Sequence, residues 1–219
     1  MIYITGDSHG LVDFDRLKYY FEDKKVSLDD YLIILGDAGI LWQENDNHIE
    51  NYSSLGLTIL YIDGNHENFD LLNKCPIVTK LNAKMHQIND HIFHILRGEI
   101  LEIDGIKMLC IGGATSIDRI YRMEHVSWWE DEHIKYEDID NAIINLNKYD
   151  FKVDYILTHC APALIVYPML GFIPDKNTKK LDQILNITTF DYWYFGHYHV
   201  DKKFYKFRCF YYDIETISK

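Results

Sequence analysis

The chain has 219 residues, of which 47% are hydrophobic and 15% aromatic, and its formal net charge is -12. This composition excludes a disordered chain, and the length predicts one domain over residues 1–219. The negative charge repels nucleic acid and anionic membranes, so a nucleic-acid polymer is not an expected partner, although bound divalent metal ions reverse the sign locally.

The four cysteines stand singly in the chain, at positions 75, 110, 160 and 209. Because they form no C-x-x-C pair and no regular spacing, they predict reduced, mostly buried thiols rather than a disulfide framework. Residues 1–7 predict a strand and a turn instead of the basic and apolar regions of a leader peptide. No apolar run is long enough to span a bilayer. These features favour a cytoplasmic protein without a membrane partner, and they leave the oligomeric state open.

The first third of the chain alternates between strand and helix patterns. Residues 1–5 and Tyr31–Leu35 predict buried strands, with an amphipathic helix over 11–24 between them. A weaker helix near 45–55 and a third buried strand at Thr58–Ile62 follow. This β-α-β-α-β order indicates a parallel sheet with helices packed against it.

The middle of the chain changes character. Apolar stretches at 92–96, 100–103 and Ile106–Ile111 predict short strands. Arg97-Gly98 and Asp104-Gly105 supply turns between them, so we expect an antiparallel meander. The remaining predicted elements are, in order, a helix over 134–148, a strand at 153–157, a helix near 178–187, a strand at Tyr192–Phe195 and an antiparallel pair within 203–214.

Potential metal ligands follow the predicted parallel strands, at the point where each strand ends. The clusters are Asp7-Ser8-His9-Gly10, Gly36-Asp37, Gly64-Asn65-His66-Glu67, Thr158-His159 and Gly196-His197-Tyr198-His199. The carboxyl ends of strands in α/β folds meet at one edge of the sheet, where ligands bind. Carboxylate, imidazole and amide oxygen together suit borderline divalent ions such as Mn, Fe, Zn or Co. The sequence therefore predicts a metal centre at this edge.

The order and spacing of these clusters resemble the calcineurin-like metallophosphoesterase superfamily, in the branch that ends in Gly-His-x-His. The resemblance runs from residue 7 to residue 199 and implies a four-layer α/β/β/α sandwich of two mixed sheets. It also implies two divalent metal ions as cofactors, with manganese expected and Fe, Zn, Co or Ni as alternatives. The implied activity is hydrolysis of phosphate mono- or diesters, with a small or nucleotide-like substrate, by in-line attack of a metal-bound hydroxide.

The resemblance further implies a role for each motif residue. The implied metal ligands are Asp7, His9 and His199 for one ion, Asp37 as the bridge, and Asn65, His159 and His197 for the other ion. The ions would lie about 3.5–4 Å apart. His66 matches the catalytic histidine of the family, which implies that it protonates the leaving group or contacts the phosphate.

The stretch after Asp37 departs from the protein serine/threonine phosphatases, which carry an aspartate three residues after the bridging aspartate and then an arginine. Ile40 stands at the aspartate position, and the arginine is missing. A phosphoprotein phosphatase is therefore the second hypothesis rather than the first. A nuclease is disfavoured by the charge, and a non-catalytic scaffold is disfavoured by the complete set of ligands.

Candidate substrate contacts lie in the segment that follows the 106–111 strand. Arg122 is the preferred phosphate-binding residue, because a guanidinium binds phosphate in bidentate fashion. Arg119 follows Asp118 directly and is expected to pair with it. Ser116 lies in a glycine-rich turn after the strand and is a second candidate for a substrate contact.

Overall fold

The chain is described by a computed structural model over residues 1–44 and 47–217. The strands in these ranges are β1 (Ile2–Thr5), β2 (Tyr31–Leu35), β3 (Thr58–Ile62), β4 (Ile77–Lys80), β5 (Ala83–Gln87), β6 (Ile92–Ile95), β7 (Glu99–Ile103), β8 (Ile106–Ile111), β9 (Tyr155–Thr158), β10 (Tyr192–Phe195), β11 (Lys202–Phe204), β12 (Phe207–Cys209) and β13 (Ile214–Ile217). The α-helices are α1 (Phe14–Phe21), α2 (His48–Ser53), α3 (Phe69–Leu72), α4 (Tyr136–Asn147), α5 (Ala163–Leu170) and α6 (Lys176–Ile187).

These strands form two mixed sheets. The first has the order β13-β1-β2-β3-β6-β5-β4, and the second has the order β11-β12-β10-β9-β8-β7. Strands β1, β2, β3 and β6 run parallel in the first sheet, and β8, β9, β10 and β12 run parallel in the second. The carboxyl ends of the parallel strands in each sheet therefore lie along one edge.

Alternating side chains within single strands show how the layers stack. In β2, Ile33 packs into a core shared by both sheets, whereas its neighbour Ile34 packs with α1 and α2. In β10, Tyr194 joins the shared core, whereas Trp193 and Phe195 pack with α4, α5 and α6. Successive side chains of a strand point to opposite faces. The order of layers is thus helix, sheet, sheet, helix, and the predicted four-layer sandwich is confirmed.

Several predicted elements have the bounds expected from the sequence. Strands β2, β3 and β10 match without an offset. The helix predicted near 45–55 corresponds to α2, and residues 45 and 46 lie outside the described residues. The helix predicted over 11–24 is shorter and begins only at Phe14, so Leu11 and Val12 precede it as a loop.

The predicted antiparallel meander over 92–111 is confirmed for β7 and β8, which pair across the Asp104-Gly105 turn, and is wrong for β6, which lies in the other sheet. Strand β6 pairs with β3 in parallel and with β5, whereas β7 and β8 form a hairpin in the other sheet. Arg97-Gly98 is thus the crossing between sheets rather than a hairpin turn. Short apolar strands separated by turn residues have the same local pattern in both cases, because the pairing partner depends on distant strands.

The end of the chain shows a related difference. The pair predicted within 203–214 is the β11–β12 hairpin of the second sheet. Strand β13 then returns to the first sheet and pairs antiparallel with β1, which the sequence did not predict. Strands β4 and β5 and helices α3 and α5 were also not predicted.

Within the described residues, no helix is both long and apolar enough to cross a membrane. The assignment of residues 1–219 to one domain stays a prediction.

Candidate metal centre

The predicted ligands come from loops at the carboxyl ends of both sheets, and these loops meet across the sandwich. Asp7 follows β1 and lies against the β10 loop, where the backbone N–H of His197 donates to its Oδ1 at 2.9 Å. His159 follows β9, and its Nε2 lies 3.3 Å from Oδ1 of Asp37, which follows β2. Nε2 of His199 lies 3.1 Å from Oδ2 of Asp7. Residues separated by more than a hundred positions thus converge on one site.

Three overlapping groups of side chains have donor atoms that all lie within 4.8 Å of one another. The groups are Asp7, His9 and His199; His9, Asp37 and His66; and Asp7, Asp37 and His159. The first group coincides with the ligand set expected for one ion. Asn65 and His197 flank the third group: Oδ1 of Asn65 lies 3.3 Å from Nε2 of His159, and the His197 ring lies 5.1 Å from the His159 ring. The structure brings all seven predicted ligands together, and their assignment to particular ions stays a prediction.

The surroundings of the Asp7 carboxylate show whether these residues suit a divalent cation. One oxygen, Oδ1, is anchored by the backbone N–H of His197. The other, Oδ2, is buried without a well-directed hydrogen bond. Nε2 of His199 lies 3.1 Å from this oxygen but does not donate a well-directed hydrogen bond to it. A buried carboxylate oxygen without such a hydrogen bond is costly unless a cation satisfies it. Together with the surrounding imidazoles, this oxygen fits a metal ion.

Hydrogen bonds on the far side of the rings orient two of the histidines. Nδ1 of His159 donates to the carbonyl of Leu35 at 2.7 Å, so its Nε2 presents a lone pair to the site. Nδ1 of His9 lies 2.9 Å from Oδ2 of Asp13, which leaves Nε2 of His9 facing Asp37. A metal-binding histidine needs this arrangement, with one nitrogen donating to a partner and the other free to coordinate.

The two buried carboxylates favour positive charge at these imidazoles. Burial lowers the pKa of His159, but Asp37 and Asp7 raise it to about 10. Burial likewise lowers the pKa of His9, but Asp37 and Asp13 raise it to about 9. A proton and a metal ion compete for the same lone pair, so a site with this electrostatic potential suits either cation.

The backbone around the site is strained. His9, Asp37, His197 and His199 have φ values of 45°, 48°, 69° and 49°. Residues other than glycine in this left-handed region cost about 1–3 kcal/mol each and persist only where the surrounding structure requires them. At these four residues, the left-handed backbone conformation turns the side chains away from the direction of the strands and towards one another.

Two glycines in the motifs are required by close contact. A Cβ at Gly64 would collide with the backbone and carboxylate of Asp37, and a Cβ at Gly196 would collide with the carboxylate of Asp7. The backbone N–H groups that hold these carboxylates come from the residues just beyond: His66 donates to Oδ1 of Asp37 at 2.7 Å, and His197 donates to Asp7. The glycines therefore let each buried aspartate lie directly against a neighbouring strand end.

His66 lies in contact with Arg122. The guanidinium nitrogens Nη1 and Nη2 lie 3.0 and 3.2 Å from Nδ1 and Nε2 of the ring. A guanidinium only donates and a neutral imidazole accepts at one nitrogen, so at most one of these contacts is a hydrogen bond. Burial lowers the pKa of His66, and the positive charge of Arg122 lowers it further, although Asp37 opposes this.

Asp118 holds Arg122 in place, through contacts of 2.7 and 2.8 Å from Nε and Nη2 to its two oxygens. The expectation that Arg119 pairs with Asp118 is therefore wrong. The guanidinium of Arg119 instead lies over the Trp128 ring, 3.8 Å from its centroid. Asp118 and Arg122 flank the short 3-10 turn at Arg119–Tyr121, and their side chains meet across it.

Ser116 lies behind Asn65 and is buried. Its hydroxyl donates to Oε2 of Glu132 at 2.6 Å and accepts from Nδ2 of Asn65 at 3.3 Å. Glu132 is itself fully buried and also accepts from the backbone N–H of Ser116. This chain of contacts orients the Asn65 amide so that its oxygen faces His159.

Sequence reasoning missed several residues that support the site. Asp13 holds His9, Glu132 holds Ser116, and the Tyr211 ring stacks on His199 at 4.6 Å. The four-residue spacing between His9 and Asp13 is a signal that the sequence does carry. Glu132 belongs to an acidic run typical of a solvated surface, and no local pattern indicates a role for Tyr211.

Glu67 connects two of the motifs. Its carboxylate accepts from the backbone N–H groups of Ala38 and Gly39, at 2.8 and 3.2 Å. Burial raises the pKa of Glu67 to about 8, and the nearby Asp37 adds to the shift. The contact holds the loop that carries Asp37 against the loop that carries Asn65 and His66.

Comparison with solved structures finds proteins of similar architecture at low sequence identity. The protein TT1561 of Thermus thermophilus is 12% identical with a TM-score of 0.50, and the match covers 96% of this chain and 87% of that one. A proposed 5'-nucleotidase from Staphylococcus aureus is 12% identical with a TM-score of 0.48 over 96% of this chain; this chain spans 48% of its length. Phosphopantetheinyl hydrolase from Mycobacterium tuberculosis is 14% identical with a TM-score of 0.47, over 96% of this chain and 87% of that chain.

The chain also matches a protein family over most of its length. Comparison with curated proteins finds no significant match. The family described as calcineurin-like phosphoesterase, in contrast, matches residues 1–201, a range that contains every cluster at the strand ends. Two mixed sheets whose carboxyl edges bring together carboxylates, histidines and an asparagine agree with that match. The chain therefore belongs to the calcineurin-like phosphoesterase family, whose members are phosphoric ester hydrolases.

Proposed function

We propose that this chain is a two-metal phosphoesterase that hydrolyses phosphate mono- or diesters of small or nucleotide-like molecules. The observation that carries the proposal is the position of the Asp37 carboxylate. Its Oδ2 lies 3.5 Å from Nε2 of His9, a proposed ligand of one ion, and its Oδ1 lies 3.3 Å from Nε2 of His159, a proposed ligand of the other ion. A carboxylate shared in this way is suited to bridge two cations.

The residues divide into two sets around this bridge. Asp7, His9 and His199 would hold one ion, and Asn65, His159 and His197 would complete the other. Such ions, when bound, activate water for attack on phosphorus and stabilise the charge that develops on the phosphoryl oxygens. Manganese is the expected metal.

The chain's own residues orient the ester. His66 faces the candidate ligands His9 and Asp37 on one side and Arg122 on the other. A ring N–H of His66 can donate to a phosphoryl oxygen or to the leaving oxygen. Arg122, which Asp118 holds in a fixed orientation, adds positive charge beside that ring.

The phosphoprotein phosphatase hypothesis gains no support. Ile40, at the position where those phosphatases carry an aspartate, is fully buried in the core between the first sheet and its helices. An apolar core side chain at this position cannot take over a polar role at the site. The non-catalytic scaffold remains the alternative that an assay must exclude.

A metal-replacement assay tests the proposal. Purified protein is stripped with a chelator, reloaded with Mn, Fe, Zn, Co or Ni, and assayed on p-nitrophenyl phosphate, bis-p-nitrophenyl phosphate, cyclic nucleotides, a phosphopeptide and single-stranded DNA. We expect turnover of small esters that disappears with the chelator and returns with metal. Two bound ions per chain without turnover of any ester would favour the scaffold instead.

A further inference from the structure

Two cavities meet at the candidate metal centre, and His66 lines both. The larger one, the Ile173 cavity, has a volume of about 690 Å³, and its lining includes Asn65, Ile117, Arg122, Ile173, Tyr198 and His199. The smaller one, the Trp42 cavity, has a volume of about 530 Å³ and is lined by His9, Leu11, Val12, Trp42 and His48 among others. Each has room for an organic group of several carbon atoms.

Several large apolar side chains that line these cavities are exposed to solvent. Ile117 and Ile173 of the Ile173 cavity are 95% and 88% exposed, and Val12 of the Trp42 cavity is 82% exposed. The Phe172 and Tyr198 rings stack at 5.4 Å and form a wall of the Ile173 cavity. Exposed apolar side chains around a cavity mark surface that a ligand covers.

The charged side chains that line the two cavities limit the charge that such a ligand can carry. Among the described lining residues of the Ile173 cavity, Arg122 is the one lysine or arginine, and Asp118 already pairs with it. The described lining of the Trp42 cavity contains neither lysine nor arginine. Asp175 adds a carboxylate to the Ile173 cavity. A substituent with further phosphates or carboxylates would meet repulsion there, whereas an uncharged one would not.

We propose that the preferred substrates are phosphodiesters whose substituents are uncharged and apolar or aromatic, with one substituent in each cavity. A monoester has a single organic group, whereas a diester has two, one on each side of phosphorus. Phosphorus held at His66 can direct one group into the Ile173 cavity and the other into the Trp42 cavity. A diester also brings one negative charge rather than two into an acidic protein. This inference rests on the proposed phosphoesterase function.

A series of alkyl p-nitrophenyl phosphates tests the inference. The leaving group is constant, so only the second substituent changes from methyl to butyl to hexyl. We expect kcat/KM of the manganese-loaded protein to rise at least tenfold from methyl to hexyl, because each buried methylene favours binding. The monoester p-nitrophenyl phosphate should lie below the hexyl diester. A phenyl diester distinguishes the two kinds of apolar group, since a gain only for phenyl or only for hexyl assigns the cavities to aromatic or aliphatic groups.

Variants locate the effect. The ratio of hexyl to methyl kcat/KM should fall at least threefold in whichever of Ile173→Ser and Trp42→Ala alters the cavity that holds the alkyl group. In the other variant, kcat/KM should fall by a similar factor for both esters, because that cavity holds the constant p-nitrophenyl group. Ile77→Ser is the matched control, because Ile77 is an exposed apolar residue on β4, outside both cavity linings, and should keep the wild-type ratio. If Ile77→Ser lowered the ratio as much as Ile173→Ser, the assignment to the cavities would be overturned.

Titration calorimetry supplies a measurement that does not depend on turnover. Dibutyl phosphate should bind the manganese-loaded protein at least tenfold more tightly than dimethyl phosphate, and Ile173→Ser should reduce that difference. A flat alkyl series together with turnover of the monoester would overturn this inference alone and leave the proposed function intact. Turnover of no ester at all would overturn both.

Discussion

Asp37 accepts a hydrogen bond at 2.7 Å from the backbone N–H of His66, through the same oxygen that faces Nε2 of His159. The proposed bridging ligand and the proposed catalytic histidine are therefore fixed to each other, although they follow different strands. The absence of a side chain at Gly64 permits this contact. A change at Asp37 should therefore act on the proposed metal ions and on the position of His66 together.

Replacement of Asp37 by asparagine should remove the bridge. The amide retains one oxygen but loses the negative charge, so we expect the metal content measured by mass spectrometry to fall to one ion or fewer per chain. Turnover should fall at least about a thousandfold, because both the charge and the bridging geometry are lost. Asp140→Asn, at an exposed carboxylate on α4, is the control. Full activity in Asp37→Asn would refute the two-metal mechanism.

Replacement of His66 by alanine separates a catalytic role from a metal-ligand role, since its ring also belongs to a group of candidate ligands. We expect two ions per chain to remain while kcat falls by about 10²–10⁴, the range for loss of a positioned acid or base. Loss of an ion from this variant would instead make His66 a ligand. His91→Ala, at a histidine outside the motifs, should leave both quantities unchanged.

Replacement of Ser116 by alanine tests the chain from Glu132 to Asn65. Without the hydroxyl, Nδ2 of Asn65 loses its acceptor and Glu132 loses a donor, so the amide is less well oriented. We expect metal affinity, measured by titration with a fluorescent chelator, to weaken by about 10–100-fold, as for other residues that orient a ligand. Ser54→Ala, at an exposed serine after α2, is the control. Unchanged metal affinity with a raised KM would mean that Ser116 contacts the substrate, as the sequence predicted.

Asp63, which directly follows β3, forms a buried network with Arg97 and His94. Its Oδ2 accepts from Nε of Arg97 at 2.9 Å, and its Oδ1 lies 3.1 Å from Nε2 of His94. Burial raises the pKa of Asp63, but Arg97 and His94 hold it well below its usual range. Asp63→Asn should therefore lower the free energy of unfolding at pH 7 by about 3 kcal/mol, since the buried Arg97 charge loses one of its two carboxylate partners and keeps only Asp138.

The same network predicts a dependence of stability on pH. Because the pKa of Asp63 is lower in the folded protein than in the unfolded chain, its contribution is fully present above about pH 4 and is lost as the pH falls below that value. The difference between wild type and Asp63→Asn in urea unfolding should accordingly be constant down to about pH 4 and shrink from there to about pH 3. A difference that stays constant over this range would contradict the ion pair as its source.

The sequence alone determined where the buried strands lie and which polar residues follow them. Unbroken apolar runs such as Tyr31–Leu35 and Thr58–Ile62 are local signals, and the ligand clusters directly after them are also local. Because the carboxyl ends of parallel strands share an edge, local order was enough to predict that Asp7, Asp37 and Asn65 converge. The family resemblance added the second sheet and the four layers.

Only the tertiary structure decided which strands pair and which side chains support the ligands. Strand β6 joins β3 rather than β7, and β13 returns to β1, because each completes a sheet whose other strands are distant in sequence. Arg122 rather than Arg119 pairs with Asp118, and Glu132 lies buried behind Ser116, although its acidic neighbours are typical of a solvated surface. Burial and partners arise from packing between distant segments, and a local pattern carries no information about them. The motifs of the candidate metal centre could be predicted from the sequence because each is short and directly follows its own strand. The contacts that hold these motifs in place could not be predicted.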